Sequence, residues 1–207
     1  NNVALGMDAL RYNTTGSNNV AVGEESLLSN TVGINNTAAG HQSLISNTIG
    51  NYNSAFGRSA MLYNTTGNRN SSFGYQSLYS NRSGQNNSAF GYGSLRNNTT
   101  NNNSAFGYKA LFANTTGIHN TAVGHASLSA NTIGERNTAV GYASLNVNTT
   151  GSYNSAFGSY ALLSNTIGYS NTAIGYNSLN NNTTGATNTA IGRNALIANT
   201  IGSSNVA

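Results

Sequence analysis

The chain of 207 residues has no Cys, no Pro and no Trp, and only 6% of its residues are charged. Without Cys there can be no disulfide and no thiolate metal site. An ordinary soluble domain carries about 25% charged residues, so charge has been avoided here. Disorder does not explain the avoidance, because disordered chains combine low hydrophobicity with abundant charge and usually Pro. The eight Lys or Arg against four Asp or Glu give a formal charge of +4. They are scattered rather than blocked, which argues against a phosphate-tracking surface and a nucleic-acid partner. No run approaches the roughly 20 consecutive apolar residues of a membrane-spanning helix. The absence of Cys also fits exported bacterial proteins and viral fibres.

What is abundant is asparagine, 39 of the 207 residues, and it recurs on a fixed period. Aligned on Asn, repeats begin at Asn2, Asn19, Asn36, Asn53, Asn70, Asn87, Asn103, Asn120, Asn137, Asn154, Asn171 and Asn188, with the start of a thirteenth at Asn205. The interval is seventeen residues throughout, except for sixteen between Asn87 and Asn103. The consensus N-[TS]-A-[VIF]-G-x-x-[SA]-L-x-x-N-T-[TI]-G-x-x defines seventeen columns, numbered from the first Asn. Columns one and twelve are always Asn, and column nine is Leu apart from Met61. Of the 24 Gly, 23 fall in columns five and fifteen, and Gly93 alone lies elsewhere. The short repeat lacks one turn residue near Asn101, which the alignment sets where Gly would be. A short, strict period spanning residues 1–207 signals one solenoid array, and a chain that starts and stops in mid-repeat reads as a section of a longer one.

Gly, Asn and Thr are poor interior helix formers, whereas N-T-A-V-G alternates with the period of a strand. The L-x-x-N-T-[TI]-G segment reads as a second short strand or a turn. The fold class is therefore all-β, a β-solenoid or parallel β-roll of twelve coils of about seventeen residues. At ~4.8 Å per coil the array would be roughly 58 Å long. Stacking also accounts for the composition. Identical amides can bond in ladders from coil to coil, whereas a column of like charges would repel at every rung. Asn13, Asn30, Asn47, Asn114, Asn131 and Asn148, with Leu111, Leu128 and Leu145, are the expected ladder residues. β-Branched and aromatic residues fill column four, which is expected to point inward, leaving column three outward. Column three is Ala in twelve of thirteen copies, so Ala105, Ala122, Ala139 and Ala156 become candidates for close contact with a second chain. Two or three apolar side chains per coil make a thin core that a partner would help to bury, so a trimer or bundled filament is expected.

At N-[TS]-A-[VIF]-G the chain resembles the head repeats of trimeric autotransporter adhesins, the YadA-like heads. The stretches "NTAVGYASLNVNTTG" (137–151) and "NTAIGYNSLNNNTTG" (171–185) also look like arrays in bacterial and phage tail-fibre-like proteins. The resemblance runs the length of the chain but rests on one short motif. It implies a left-handed parallel β-roll, self-association as a trimer and no catalytic residues. The coil departs from that family's, which is usually a few residues shorter.

Residue chemistry points the same way. His41, His119 and His125 are accompanied by no carboxylate or Cys set, so no metal is expected. Glu24 and Glu25 are adjacent, which on a strand turns them to opposite faces and spoils them as an acid–base pair. A single Asp, Asp8, excludes a calcium β-roll, which needs one per turn. The glycines follow the coil period and form no phosphate loop. No cofactor and no enzymatic activity are expected. N-x-[ST] triplets such as Asn13, Asn64, Asn114, Asn148 and Asn182 arise automatically from this composition. Tyr75, Tyr92, Tyr108, Tyr142 and Tyr176 share column six, where they could adhere to surface glycans or other cells. The expected function is structural: the repeat region of an extracellular or cell-surface fibre or adhesin. The alternatives are a phage or virion tail-fibre shaft binding host glycans and a ligand-face module such as ice binding. Ice binding is disfavoured if column two faces inward with column four.

Overall fold

A computed structural model describes residues 1–207. The chain is all-β and forms a β-solenoid, and it divides into two compact units, Asn1–Asn103 and Ser104–Ala207. The first carries strands β1 (Asn2–Leu5), β2 (Asn19–Val22), β3 (Thr37–Ala39), β4 (Ser54–Phe56), β5 (Ser71–Phe73) and β6 (Ser88–Phe90). The second carries β7 (Ser104–Phe106), β8 (Thr121–Val123), β9 (Thr138–Val140), β10 (Ser155–Phe157), β11 (Thr172–Ile174) and β12 (Thr189–Ile191). Within each unit neighbouring strands pair in parallel and column for column, as in Ala21 with Ala38 or Ala139 with Ala156.

Each coil has one short strand, and the Leu–Asn–Thr–Gly side is turn. Its backbone still bonds to the next coil, as Leu27 N–H does to the Ser43 carbonyl at 3.0 Å. It is not extended because columns seven, nine and seventeen are left-handed in coil after coil. Examples are Glu25, Leu27 and Asn35, at φ 55, 50 and 55°. A left-handed L-residue costs roughly 1–2 kcal/mol, so the buried Leu in this conformation is held there by its packing. Gly93 is the one glycine in column seven (φ 61°), which explains why it stands outside the two glycine columns. Ala126, at φ 55° in the same column and half-buried, should therefore accept glycine with profit. Ala126→Gly is expected to stabilise by about 0.5–1 kcal/mol once the greater chain entropy of glycine is subtracted. A urea midpoint that falls instead of rising would contradict this.

The interior is built from columns one, three, eight, nine and twelve: Asn, Ala, Ser or Ala, Leu and Asn. Ala21, Leu27, Asn30 and Asn36 have accessibilities of 0%. This reverses the expected strand orientation. Ala105, Ala122, Ala139 and Ala156 are fully enclosed by their own chain, while column four points outward, as Val123 does at 37% and Phe157 at 41%. The reason is width. Leu and the two Asn columns already fill the coil, so the strand opposite them has room only for a methyl group. Ser72, the one exception in column three, confirms the facing partner: its hydroxyl bonds across the interior to Ser77 of column eight.

Candidate functional surface

The buried amides are engaged in the regular coils. There each column-twelve side chain donates to the one before it, Asn30 to Asn13 and Asn47 to Asn30 in the first unit, Asn131 to Asn114 and Asn148 to Asn131 in the second, all at 2.8 Å. The same amide also donates to the column-fifteen carbonyl of its own coil, Asn131 to Gly134 O at 3.0 Å. That carbonyl receives a second donor from column one, Asn120 Nδ2 at 2.8 Å, which ties the strand to the turn across the interior. Column one passes its Oδ1 to the following coil's backbone, as in Asn137 N–H to Asn120 Oδ1 at 3.0 Å. Leu111, Leu128 and Leu145 lie beside these ladders at 0% exposure. An Asn-ladder therefore does what a strand does on the other side of the coil, supplying coil-to-coil bonds where the backbone is turned.

This engagement also decides the glycosylation triplets. Asn64, Asn114, Asn148 and Asn182 are wholly buried with their amides bonded, and Asn13 is half-buried in the same arrangement. None offers a free amide in the folded chain.

Column-fifteen glycine is needed for space rather than for an unusual φ. A Cβ on Gly134 would fall inside contact distance of Asn131 Oδ1 and the Gly151 carbonyl. The short coil shows the consequence. There Thr100 O receives the two amides, Asn87 Nδ2 at 2.7 Å and Asn98 Nδ2 at 2.9 Å, that a glycine carbonyl receives elsewhere. Asn101 accepts from Gln85 N–H at 2.7 Å, the role of column sixteen filled elsewhere by Asn51 and Asn68. Asn101 therefore does not replace the glycine; the turn has lost a residue before it.

With the interior spoken for, what remains for partners is the outside. Columns two and four form the outer face of each sheet, and none of their residues is charged. In the first unit Phe56, Phe73 and Phe90 stack with centroids 4.7 Å apart and planes 7° from parallel. In the second, Phe106, Val123, Phe157, Ile174 and Ile191 are 37–62% exposed. Column two faces outward beside them, so the inward placement that disfavoured an ice-binding face does not hold. That column nonetheless mixes Ser, Thr and Val, and the column-thirteen threonines donate their hydroxyls to the next coil, as Thr132 does to Thr149 O at 3.0 Å.

The column-six tyrosines are half-exposed, from 38% for Tyr75 to 48% for Tyr142, but they are not separate platforms. Tyr75 stacks on Tyr92 at 5.3 Å. In the second unit His125 lies between Tyr108 and Tyr142 at 4.9 and 5.1 Å, and Tyr160 and Tyr176 extend the row edge-on at 5.3 and 6.0 Å. Tyr160 comes from column seven and fills the place left by Ser159. Lys109 lies over Tyr108 at 5.3 Å and Arg193 over Tyr176 at 5.8 Å. A sugar that stacks needs a free ring face, and in this row ring faces meet neighbouring rings or cations. His125 in this row was legible only from its shared column.

Most of the cations are held the same way, among them Arg69 over Tyr52, Arg96 over Tyr79 and Arg136 over Tyr153, at 5.9, 4.9 and 5.4 Å. Beside Arg96, a hydrogen bond with Tyr63 and then burial hold the Tyr79 phenol above its ordinary value, against the opposing pull of the guanidinium. No group of three or more His, Asp or Glu side chains gathers in a metal-binding arrangement, and no helix is long and apolar enough to cross a membrane. No protein-family model and no curated protein sequence matches the chain.

Proposed function

We propose that this chain is a structural section of an extracellular fibre or surface adhesin, not an enzyme, and that it associates with copies of itself through the outer sheet face. The observation that carries the proposal is that face. Columns two and four give an uncharged, half-exposed face in each unit, an apolar column four beside a mostly hydroxyl-bearing column two. A partner built on the same coil rise would meet it rung for rung, with no charge to desolvate. Interface cores are depleted in charge and rich in aromatics in the same way. The repetitive interior supports the fibre part of the reading, since it resists unfolding through many equal contacts rather than one critical site.

Self-association is the testable step. Val123→Lys with Phe157→Lys places two cations on the outward stripe of the second unit and leaves the buried ladders intact. The doubly substituted chain is expected to sediment as a monomer with an unaltered circular-dichroism spectrum, while the parent sediments as an oligomer or filament. A parent that stays monomeric at tens of micromolar would defeat the proposal, as would a variant that still assembles.

A further inference from the structure

The sixteen-residue coil interrupts more than the count. In a regular coil the N–H groups of columns thirteen and fourteen, joined in some coils by column fifteen, converge on one carbonyl of the next: Thr48 and Ile49 reach Thr65 O at 3.0 and 3.3 Å, and Thr31, Val32 and Gly33 all reach Thr48 O at 3.0, 3.3 and 3.3 Å. No such fan joins Arg82, Ser83 and Gly84 to the short coil. The amide ladder fails at the same rung. Asn81 donates to Asn64 at 2.9 Å, but its own Oδ1 is buried with no hydrogen-bond partner. Column thirteen is Arg82 here, so the threonine hydroxyl that crosses to the next coil elsewhere is missing too. The strand side of the same coil is undisturbed: β5 and β6 pair in register, and Leu78 N–H reaches Ser94 O at 3.0 Å. The losses are confined to one turn.

We infer that the turn at Asn81–Gly84, against the short coil, is a built-in weak rung where the first unit opens before any other of its turns. The turn keeps its bonds to the preceding coil, where Thr65 and Thr66 N–H and the Thr65 hydroxyl reach Arg82 O at 2.9, 3.0 and 3.0 Å, but a turn held from one side only, with a buried orphan acceptor on the other, has less holding it closed. Opening there frees one side of the solenoid while the sheet side stays paired. The exposed Arg82 makes the event visible, because trypsin cuts only a segment that can leave the ladder. Arg58 and Arg69 are equally exposed in the same unit but lie in coils with regular turns.

Limited trypsin digestion of the whole chain is expected to cut first after Arg82, at least about tenfold faster than after Arg58 or Arg69. Hydrogen exchange should show the amides of 81–85 opening ahead of those of 30–34. Inserting one glycine between Thr100 and Asn101 restores the seventeen-residue spacing, and should slow the Arg82 cut by a similar factor and return exchange to the level of the other turns. A first cut after Arg58 or Arg69, or equal exchange across the turns, overturns the inference. If the insertion misfolds, the digestion order and exchange of the parent chain still decide it. An insertion that folds and leaves the cut unchanged also counts against it.

Discussion

Leu145→Asp is expected to cost more than about 4 kcal/mol and to abolish the cooperative melt of the second unit. Leu145 is in the third coil of that unit, has 0% exposure, and its N–H bonds to Ala161 O at 3.0 Å. A carboxylate there has no cation within the coil to meet, and the surrounding groups are Ala, Leu and Asn columns with their polar atoms already engaged. Leu145→Ala separates the lost packing from the buried charge, and it should cost about 2–5 kcal/mol as buried leucine truncations do. Thermal and urea unfolding followed by circular dichroism measure both. The same charge on column four, Val123→Lys for example, should leave the melt of the dilute, unassociated chain nearly unchanged, because that position lies on the outside of its own coil. Equal losses at Leu145 and Val123 would mean that the inside and outside of the coil have been assigned wrongly.

Asn131→Asp tests the amide ladder with almost no change of shape, and a loss of at least about 3 kcal/mol at neutral pH is expected. Asn131 Nδ2 donates to Asn114 Oδ1 at 2.8 Å and to Gly134 O at 3.0 Å. Replacing that amide by a carboxylate removes both donors and turns a buried negative charge toward two acceptors. The Oδ1 side is unaffected, since it accepts from Asn148 Nδ2 at 2.8 Å in either form. The new carboxyl would be disfavoured as an anion in the folded chain, so its folded-state affinity for a proton rises above the unfolded one. The deficit should therefore shrink as pH falls and the group regains a proton to donate, and grow as pH rises. Unfolding midpoints measured from acid to neutral pH give the sign directly. A variant as stable as the parent at neutral pH would remove the ladder from the account of why Asn is so frequent.

Both predictions rest on columns that could be found in the sequence. Invariance in the column of Asn30, and near-invariance in that of Leu128, where only Met61 departs, marks a position whose environment is the same at every rung, and only an interior stack supplies that. The lack of charge followed from the same stacking. The column-five and column-fifteen glycines were equally visible, although only the structure separates their reasons. Gly141 adopts φ 136°, which other residues rarely reach, whereas Gly134 is fixed by the absence of room for a Cβ.

The sequence by itself determined the period, the coil boundaries, the all-β class, and the buried Leu and Asn ladders, because these depend on repetition and on residue type alone. The tertiary structure decided which face of the strand points inward. Alternation says that Ala122 and Val123 face opposite ways, yet it is symmetric and carries no sign. The sign comes from the opposite wall of the coil, where left-handed Leu128 and the two amide columns take up the width and leave space for a methyl group only. The partnering of Tyr108, His125 and Tyr142 was settled in the same way, since rings in one column become a stack only when the backbone brings successive coils to within ring-contact distance.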